Sequence, residues 1–581
     1  MVICYTTRMV TEDIEKLLQK QVAALTKEKL SVRLTKPSLP THGDYTTTVA
    51  LPLAKILKKS PIEVAEILAL ELKTNKEKLT MVERIEVVAP GFINFWLSQE
   101  ELLTALNKQN TEKTKHAPSA SLKEKRILIE YAHPNTHKEM HIGHMRTMIT
   151  GEALARLLTV GGATVFRANY QGDIGPHVAK ALYGIEKIMV ERKLTIDEIE
   201  QWDNAKKAHF LGEGYVQGNK DYEEAKTAID ALNTKLYQKD KSIMPLYEQT
   251  RKWSLDYYED FYARFYTTFD RLFFESEMAD RGKEIVTEAI GTVFTEDNGA
   301  VIFPGEKYGL HTRVFITQVG NPTYEGKEMA NAFAEYKAFP FDLKMHVVGS
   351  EQAGYFKVVF KALELLDPEK FEGKQHHVSM GMVTLTDRKM SSRTGEILRV
   401  DWLIDQVKER ILKLAQEGKI EAENKDAVVE MVAIGAVKYS VLKVATTQNV
   451  AFDIEKSVAL DGDSGPYLQY TYARTQSVLR KAGSAAGTLD TSNLTLNEEE
   501  KALLRMLYTF PQVVSDAAST FSPHILCTFL FDLTKQFNLF YQKHAILKSE
   551  QETFRLVLTG AVGNTIKQGL NLLGIKAPEK M

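Results

Sequence analysis

The feature that most constrains the fold is a strand–loop–helix–strand pattern in the first third of the chain. The apolar run Ile127–Tyr131 precedes a polar loop rich in histidine. A segment of helical period follows it and closes at Gly161 and Gly162, and a second β-like run, Ala163–Asn169, comes next. Short apolar strands on either side of a helix are typical of a βαβ unit, in which the strands are parallel and helices cover the sheet. The pattern therefore predicts an α/β fold.

The loop between the first strand and the helix, from His133 to His144, places four histidines and one lysine at the predicted helix start. The first amides of a helix have no intrahelical partner, and the helix dipole is positive there, so this position attracts anions. His141, His144 and Lys138 add side-chain donors and a positive charge. The combination predicts a binding site for a polyphosphate.

Length and composition narrow the class of protein. A chain of 581 residues is too long for one hydrophobic core, and about three to five domains are expected. The 74 basic and 76 acidic side chains nearly balance, so a nucleic-acid partner would have to bind a local basic face. Cys4 and Cys527 are the two cysteines, which argues against a disulfide scaffold or a cysteine-ligated zinc site. No apolar run reaches about 18 residues and no signal region precedes Thr11, so we expect a cytoplasmic protein without a membrane partner.

The hydrophobic periodicity of the sequence predicts three regions. Residues 1–118 combine amphipathic helices with a β-hairpin and form a separate α/β module. Residues 119–400 hold the parallel sheet, which a charged, aromatic and helical insertion at about 180–310 interrupts. Residues 401–581 are helical in period almost throughout and predict an all-α region.

Beyond the insertion, strand-like runs return at Ala300–Phe303, Arg313–Val319 and Leu343–Val348, and we expect them to resume the sheet. Gly349–Gln352 follows the last of these runs directly, as the histidine-rich loop follows the first strand. Ligands of open parallel sheets bind at the carboxyl ends of the strands. Both segments are therefore expected at that edge.

A second polar loop, Leu385–Gly395, carries a candidate set for the nucleotide: Lys389, Met390, Ser391 and Ser392. By itself the tetrapeptide from His141 to His144 is a weak signal, but paired with this later loop it becomes specific. Gly143 leaves room for a flat adenine to lie on the backbone. Lys389 and Ser391, on a mobile loop, can close over a triphosphate and stabilise departing pyrophosphate.

Further segments occur in the same order as in one known family: Gly43–Tyr45, Pro90–Asn94, Glu130–Gly151, Asn169–Gly175, Gly465–Tyr470 and Leu573–Met581. Together with the two loops they resemble the arginyl-tRNA synthetases, which belong to the class I aminoacyl-tRNA synthetases. The resemblance covers nearly the full length, and several separate motifs in one order make coincidence very unlikely.

The resemblance implies a Rossmann-type catalytic domain between an N-terminal domain that binds the tRNA corner and an all-α C-terminal domain that reads the anticodon. It implies ATP-dependent ligation of L-arginine to tRNA(Arg) through an arginyl-adenylate, with release of AMP and pyrophosphate. ATP would bind with Mg2+, no structural zinc is expected, and the protein is expected to be a monomer.

The resemblance also implies roles for individual side chains. Those that act on phosphate groups would be His141, His144, Lys138 and Lys389, with Gly143, Met390, Ser391 and Ser392 also at ATP. Those that hold arginine would be Glu130, Asn135, Tyr324, Glu328 and Gln352. The chemistry agrees, because a guanidinium favours bidentate carboxylate partners. A carboxylate on a buried strand is also costly unless a cation pairs with it, and the alternative for Glu130 is an internal salt bridge.

The chain departs from the family pattern at three positions. Glu328 stands where the family usually has aspartate. Ser392 stands where class I enzymes have a second lysine, and Lys138, three residues before His141, would replace that cation. Thr48 stands where the family often has asparagine in a turn that contacts tRNA.

Two other interpretations compete with that of a tRNA ligase. His137, His141 and His144 have a spacing that can hold zinc on a helix, although Glu139 is not placed as the base of a metal hydrolase. A non-catalytic RNA-binding relative would lose His141, His144 or Lys389, and all three are present. We therefore favour the ligase and interpret His133 and His137 as structural.

Overall fold

The computed structural model describes residues 10–37, 39–74, 79–111, 122–386, 399–417, 425–483 and 494–581. The chain forms two compact units, each assembled from separate segments. The first unit takes its described residues from 1–117, 474–512 and 532–566, and the second from 118–473, 513–531 and 567–581.

The first unit begins with helices around a small antiparallel sheet. In chain order its N-terminal elements are α1 Val10–Leu25, β1 Tyr45–Thr47, α2 Ala50–Leu57, α3 Pro61–Thr74, β2 Val82–Val88, β3 Phe92–Leu97 and α4 Gln99–Thr111. The predicted hairpin is confirmed, since β2 and β3 pair antiparallel, and β1 joins the other edge of β3. Gly43 adopts φ 101°, and a Cβ there would lie 2.7 Å from the carbonyl oxygen of Phe95, so only glycine fits this turn.

The second unit contains the remaining strands. They are β4 Arg126–Glu130, β5 Thr164–Gln171, β6 Arg271–Phe274, β7 Thr295–Asp297, β8 Ala300–Phe303, β9 Arg313–Ile316, β10 Leu343–Gly349, β11 Gln375–Met380, β12 Val383–Leu385 and β13 Val450–Phe452. Its helices are α5 Ile142–Val160, α6 Pro176–Arg192, α7 Ile196–Glu200, α8 Asn204–Lys220, α9 Tyr222–Tyr237, α10 Met244–Arg264, α11 Glu275–Glu288, α12 Tyr324–Ala338, α13 Ala353–Leu366, α14 Pro368–Phe371, α15 Val400–Gln416, α16 Lys425–Leu442 and α17 Ile454–Ser457.

A five-stranded parallel sheet in the order β11-β10-β4-β5-β6 is the centre of this unit. The predicted βαβ unit is confirmed as β4, α5 and β5. In register, Glu130 on β4 pairs with Ala168 on β5 and with His346 on β10. Because side chains two residues apart on a strand share a face, Glu130, Lys344, His346 and Tyr170 all point to one face of the sheet. A large hydrophobic core between this face and α11, α12 and α13 continues below them.

The sheet resumes earlier than the sequence predicted. The strand that rejoins it is β6, at Arg271–Phe274, whereas β8 and β9 pair with β7 in a separate three-stranded antiparallel sheet. The expectation that Ala300–Phe303 and Arg313–Val319 extend the parallel sheet was therefore wrong, although both runs contain strands. An apolar run predicts a strand but not its partner, and the four-residue β6 is too short to be told from the aromatic helix before it by periodicity.

The helical insertion between β5 and β6 consists of α6 to α10 and has two hydrophobic clusters of its own. The aromatic stripe of α10 is core, as predicted: Tyr257, Tyr258, Phe261 and Tyr262 are buried. Its hydroxyl groups still serve the site, because Tyr262 accepts from the side-chain amides of Asn169 and Gln171, each at 2.9 Å.

In the described residues after 399, the elements are helices apart from one short strand. The helices α18 Gly465–Ala482, α19 Glu498–Ser519, α20 Pro523–Lys543 and α21 Glu552–Leu572 follow α17. The exception is β13, which pairs parallel with β12. Across the described ranges, no helix is both long enough and apolar enough to cross a membrane.

Candidate active site

Residues 131–141, which join β4 to α5, form what we call the signature loop. Its last residue, His141, is the N-cap of α5: Nδ1 accepts from the backbone N–H of Gly143 at 3.1 Å and of His144 at 3.4 Å. An imidazole thus takes the place of the usual Ser, Thr, Asp or Asn cap. Burial, and then the charge of Lys138, lower the pKa of His141. Its ring is therefore neutral and Nδ1 is free to accept.

His144 stacks on His141, with ring centroids 3.6 Å apart and an interplanar angle of 21°. Burial, and then the adjacent His141, hold the pKa of His144 well below its ordinary value. A Cβ on the exposed Gly143 would lie 2.9 Å from Cε1 of His141, so this glycine is required beside the capping ring. Each neutral imidazole keeps one N–H that can donate, and the positive charge for an anion has to come from another group.

Lys138 provides such a charge on the same side of the loop. Its Nζ lies 4.2 Å from the ring centroid of Tyr215 on α8, a cation–π arrangement. The loop backbone beneath it is held by α10, since the hydroxyl of Tyr258 lies 2.6 Å from the carbonyl oxygen of Asn135 and 2.8 Å from that of Lys138. The insertion therefore positions this part of the loop.

His137 and His133 support the structural interpretation. His137 is fully buried, with Nδ1 2.9 Å from the hydroxyl of Thr136 and Nε2 2.8 Å from that of Thr250. Burial lowers its pKa to about 3. Because both ring nitrogens are engaged by hydroxyl groups, His137 has no nitrogen left for a metal, which removes the zinc alternative. His133 lies 3.7 Å from the Glu130 carboxylate.

The predicted nucleotide loop falls outside the described residues, and with it Lys389, Met390, Ser391 and Ser392. Its downstream neighbour Arg399 is described and contacts the signature loop. Arg399 forms an antiparallel bridge with His141, and its guanidinium lies 3.1 Å from the carboxylate of Glu139. Next to it, the N–H of Val400 donates to Met140 at 3.2 Å. Arg399 and Val400 therefore lie beside the histidine pair.

Glu130 is buried at the end of β4 and belongs to what we call the carboxylate cluster. The cluster is formed by side chains of β4, α12 and β10, namely Glu130, Glu328, Asn331, Glu335, Lys344 and His346, all at most 4% exposed. Lys344 Nζ lies 3.0 Å from Glu130 and 3.4 Å from Glu328, and it also pairs with Glu335. Asn331 donates to Glu130 at 3.1 Å. The internal salt bridge that was considered as the alternative role of Glu130 is therefore present.

The charges within the cluster are unequal. Burial favours the neutral form of Glu130, but Lys344 and His346 hold the pKa of this carboxyl well below its ordinary value. Burial raises the pKa of Glu328 to about 7, although Lys344 opposes the shift, and burial with the charge of Glu130 raises the pKa of Glu335 well above its ordinary value. Burial lowers the pKa of His346 to about 4, so it is neutral near pH 7. At neutral pH Glu130 and Lys344 are charged, and Glu328 is close to its midpoint.

The oxygen and nitrogen atoms of Glu130, Glu328 and His346 lie close enough together to ligate one metal ion. However, the ammonium of Lys344 already lies between the two carboxylates and supplies the cation there. A metal ion ligated by these atoms would have to replace that ammonium, so these residues do not fit a metal site while Lys344 is in place.

The other predicted arginine contacts lie along the same edge. Asn135 forms a parallel bridge with Gly172, and a Cβ on Gly172 would lie 2.2 Å from Asn135 Oδ1 and 3.3 Å from the Glu275 carboxylate. Tyr324 begins α12, one turn before Glu328, and is 54% exposed. Gln352 follows the carboxyl end of β10. The structure thus brings Glu130 and Glu328 into one cluster, and the other three lie in segments at the same edge of the sheet.

Several side chains near the site were not identified from the sequence. Lys344 and Glu335 belong to the cluster, Lys327 and Glu275 form a second buried ion pair, and Tyr170 has a buried hydroxyl without a hydrogen-bond partner among the described residues. A lysine inside the apolar run Leu343–Val348 was a usable signal, because a charge on a buried strand needs a partner. Glu335, seven residues after Glu328 on the same helix face, was the other signal.

Comparison with known proteins covers nearly the whole chain. The family profile described as tRNA synthetases class I (R), catalytic domain, matches residues 105–454. The profile of the DALR anticodon binding domain matches residues 468–581, and that of the arginyl tRNA synthetase N terminal domain matches residues 10–97.

Similar whole proteins carry one activity in their names. The arginine–tRNA ligase of Treponema denticola is 32% identical, with 95% of each chain covered. That of Bacteroides fragilis is 30% identical and covers 95% of this chain and 96% of its own. Among solved structures, Thermus thermophilus arginyl-tRNA synthetase superposes with a TM-score of 0.82 at 25% identity, over 99% of this chain and 100% of that one.

Proposed function

The chain belongs to the class I arginyl-tRNA synthetases, and from this premise we propose how its side chains divide the reaction. It is an arginine–tRNA ligase, which charges tRNA with arginine. The family uses ATP, and the general reaction of the class proceeds through an aminoacyl-adenylate.

One observation carries the assignment of the amino-acid pocket: Glu130 and Glu328 converge in one buried cluster at the carboxyl edge of the sheet, the edge at which Asn135 and the exposed Tyr324 also lie. The unpartnered hydroxyl of Tyr170 supports it, because this group lies near both carboxylates and a buried hydroxyl is costly without a partner. A guanidinium has five N–H donors in one plane and would satisfy two carboxylates together with a hydroxyl.

We therefore assign the guanidinium of arginine to Glu130, Glu328 and Tyr324, and its α-amino and carboxylate groups to Asn135 and Gln352. With Glu328 in place of the family's usual aspartate, the carboxylate extends one methylene further. The contact between Asn331 Nδ2 and Glu328 at 3.5 Å is consistent with a side chain that folds back along its helix.

ATP would lie along the signature loop and the start of α5. The arginine carboxylate oxygen attacks the α-phosphorus in line, the bond to the β-phosphate oxygen breaks, and pyrophosphate leaves. His141 and His144 would donate to phosphate oxygens as neutral imidazoles, while Gly143 leaves the backbone open to adenine. Lys138 and Lys389 would carry the positive charge that the departing pyrophosphate needs, with Met390, Ser391 and Ser392 alongside.

In the second step a terminal ribose hydroxyl of tRNA, the 2′-OH by family analogy, attacks the carbonyl carbon of the adenylate, and AMP leaves. No protein nucleophile takes part, so positioning and electrostatic stabilisation carry the catalysis. Mg2+ bound with ATP would neutralise part of the phosphate charge. No described side chain needs to be reserved as its ligand, since this ion is held largely by phosphates and water.

We further propose that residues 1–118 bind the tRNA corner, that residues 119–400 hold the catalytic site, and that residues 401–581 contact the stem and read the anticodon. The protein would act as a cytoplasmic monomer. Sedimentation velocity at several concentrations tests the monomer, and a concentration-dependent increase of the sedimentation coefficient would contradict it.

The decisive experiment is aminoacylation of a tRNA mixture with each amino acid in turn. We expect arginine alone to be charged. Cognate tRNA has to be present even when adenylate formation is measured, because arginyl enzymes generally need tRNA for that step. Absence of arginine charging with cognate tRNA present would refute the assignment.

A further inference from the structure

The side chains of the carboxylate cluster lie at different depths below the carboxyl edge of the sheet, where the proposed pocket would open. The start of α12 lies at the carboxyl edge of the sheet, because the helix returns to the amino end of β10 through residues 339–342. Glu335 lies two turns after Glu328 on α12, or about 10 Å deeper. On the sheet, Lys344 lies two residues before His346, the partner of Glu130 in register, or about 7 Å deeper. The order from the opening downward is Glu130 with Glu328, then Lys344, then Glu335.

Lys344 is therefore the floor of the pocket. It is 0% exposed, and its ammonium reaches up to Glu130 and Glu328 and also pairs with Glu335. Three carboxylates in a buried site cannot all be ionised beside a single ammonium, because each added negative charge raises the cost of the next. The ammonium contacts all three carboxyl groups, so its charge sets how many of them can be ionised at once.

We propose that Lys344, anchored from below by Glu335, is a positioning residue for arginine: it keeps Glu130 ionised, favours the ionised form of Glu328, and holds both carboxyl groups toward the opening before the guanidinium arrives. The proposal rests on the arginine pocket assigned above and adds to it a cation supplied by the protein. Without that cation, Glu130 as well as Glu328 would tend to be protonated in the empty pocket, and arginine would have to displace an additional proton in order to bind.

The groups that face Glu328 come from every element around it. They are Lys344 and His346 on β10, Glu130 on β4, Tyr170 on β5, Tyr355 on α13, and Asn331 and Glu335 on its own helix. Lys344 is the one cation among them near pH 7, since burial keeps His346 neutral. Removal of Lys344 should therefore change which carboxyl groups of the pocket are protonated.

The test compares Lys344→Met, the double variant Lys344→Met with Glu335→Gln, and Lys438→Met. Lys438 is another buried lysine of this unit, but its ammonium donates to the backbone carbonyls of Phe265 and Gly574, away from the cluster. The double variant removes the ammonium together with its deep partner, so it keeps the proposal testable if Lys344→Met does not fold. Arginine and ATP are titrated separately in tRNA-dependent aminoacylation between about pH 6 and 8.5.

We expect the two Lys344 variants to raise KM for arginine at least about tenfold at pH 7. The reason is that the ionised fraction of a carboxyl group falls about tenfold for each unit by which the pH lies below its pKa. This excess should shrink as pH rises, while kcat and KM for ATP remain unchanged. Lys438→Met should lower Tm but leave KM for arginine as it is.

A double variant with the wild-type KM for arginine and pH profile would overturn the proposal, provided that Glu130→Gln has lost arginine charging. If Glu130→Gln still charges arginine with the wild-type KM, the arginine pocket itself is misassigned. That result overturns the proposed residue roles, and the role of Lys344 falls with them.

Discussion

The signature loop and the carboxylate cluster meet at the end of β4 but are held by different forces. The loop relies on hydrogen bonds between neighbours in sequence: His141 caps the helix through the amides of Gly143 and His144, and His144 stacks on it. Its imidazoles are neutral. The cluster relies on charge, with Lys344 among Glu130, Glu328 and Glu335 from three elements.

This difference teaches how one edge of a sheet can bind a polyanion and a cationic amino acid side by side. With the roles proposed above, neutral donors in the loop would bind phosphate without attracting the carboxylates of the cluster. Lys344 in turn reduces the negative charge of the cluster and so would reduce its repulsion of ATP. The two sites should therefore respond separately to mutation.

The largest effect is expected for Glu130→Gln. The change leaves the guanidinium with one carboxylate and breaks a buried pair, which costs about 3–5 kcal/mol, so kcat/KM for arginine should fall by roughly 10²–10³ or more while KM for ATP stays within about twofold. Steady-state aminoacylation measures both. Glu152→Gln, at another buried glutamate that pairs with Arg156 on α5, is the matched control. An equal rise of both KM values would show that the two sites are not separable.

Next in size is His144→Ala, which removes one preorganised donor from the loop. Loss of such a donor costs roughly 10²–10³ in kcat, and KM for arginine should not change. Single-turnover adenylate formation with tRNA present measures the step. The control is His376→Ala, at an exposed histidine on β11. A normal rate for His144→Ala would show that its N–H does not serve ATP.

Lys138→Ala tests whether this lysine replaces the cation missing at Ser392. Hydrogen bonds to charged groups contribute about 1.5–3 kcal/mol, so kcat should fall roughly thirtyfold. Lys180→Ala is the control, because Lys180 lies in the same way over an aromatic ring, that of Tyr222, at 3.9 Å. If Lys138→Ala charges tRNA at the normal rate, the idea of a compensating lysine is wrong.

The smallest effect concerns pH. Burial raises the pKa of Glu328 to about 7 in the empty pocket, and a bound guanidinium lowers it, so binding releases a proton and tightens as pH rises. KM for arginine should fall roughly tenfold from about pH 6 to pH 8 and then level off. Glu328→Gln should remove this dependence. A flat profile in the wild type would mean that Glu328 is already ionised.

Much of the architecture was predictable from the sequence. The βαβ unit at Ile127–Asn169, the hairpin in the N-terminal module and the helical insertion all follow from local periodicity. The start of α5 at Ile142 was predictable too, because a strand, a polar loop and a helical stripe follow each other directly. The partners of β8 and β9 were not, since apolar runs specify strands without specifying which strands pair.

The candidate site also has a part that the sequence predicted and a part that it did not. The sequence by itself determined the signature loop, because the residues that hold His141 and His144 are neighbours in the chain. It also identified Glu130 and Glu328 as candidates through family motifs. Only the tertiary structure decided that Lys344 lies between them and that Glu335 closes the cluster from below. Those contacts join residues as far as 214 positions apart in the sequence, and whether a buried charge is paired depends on which elements pack together.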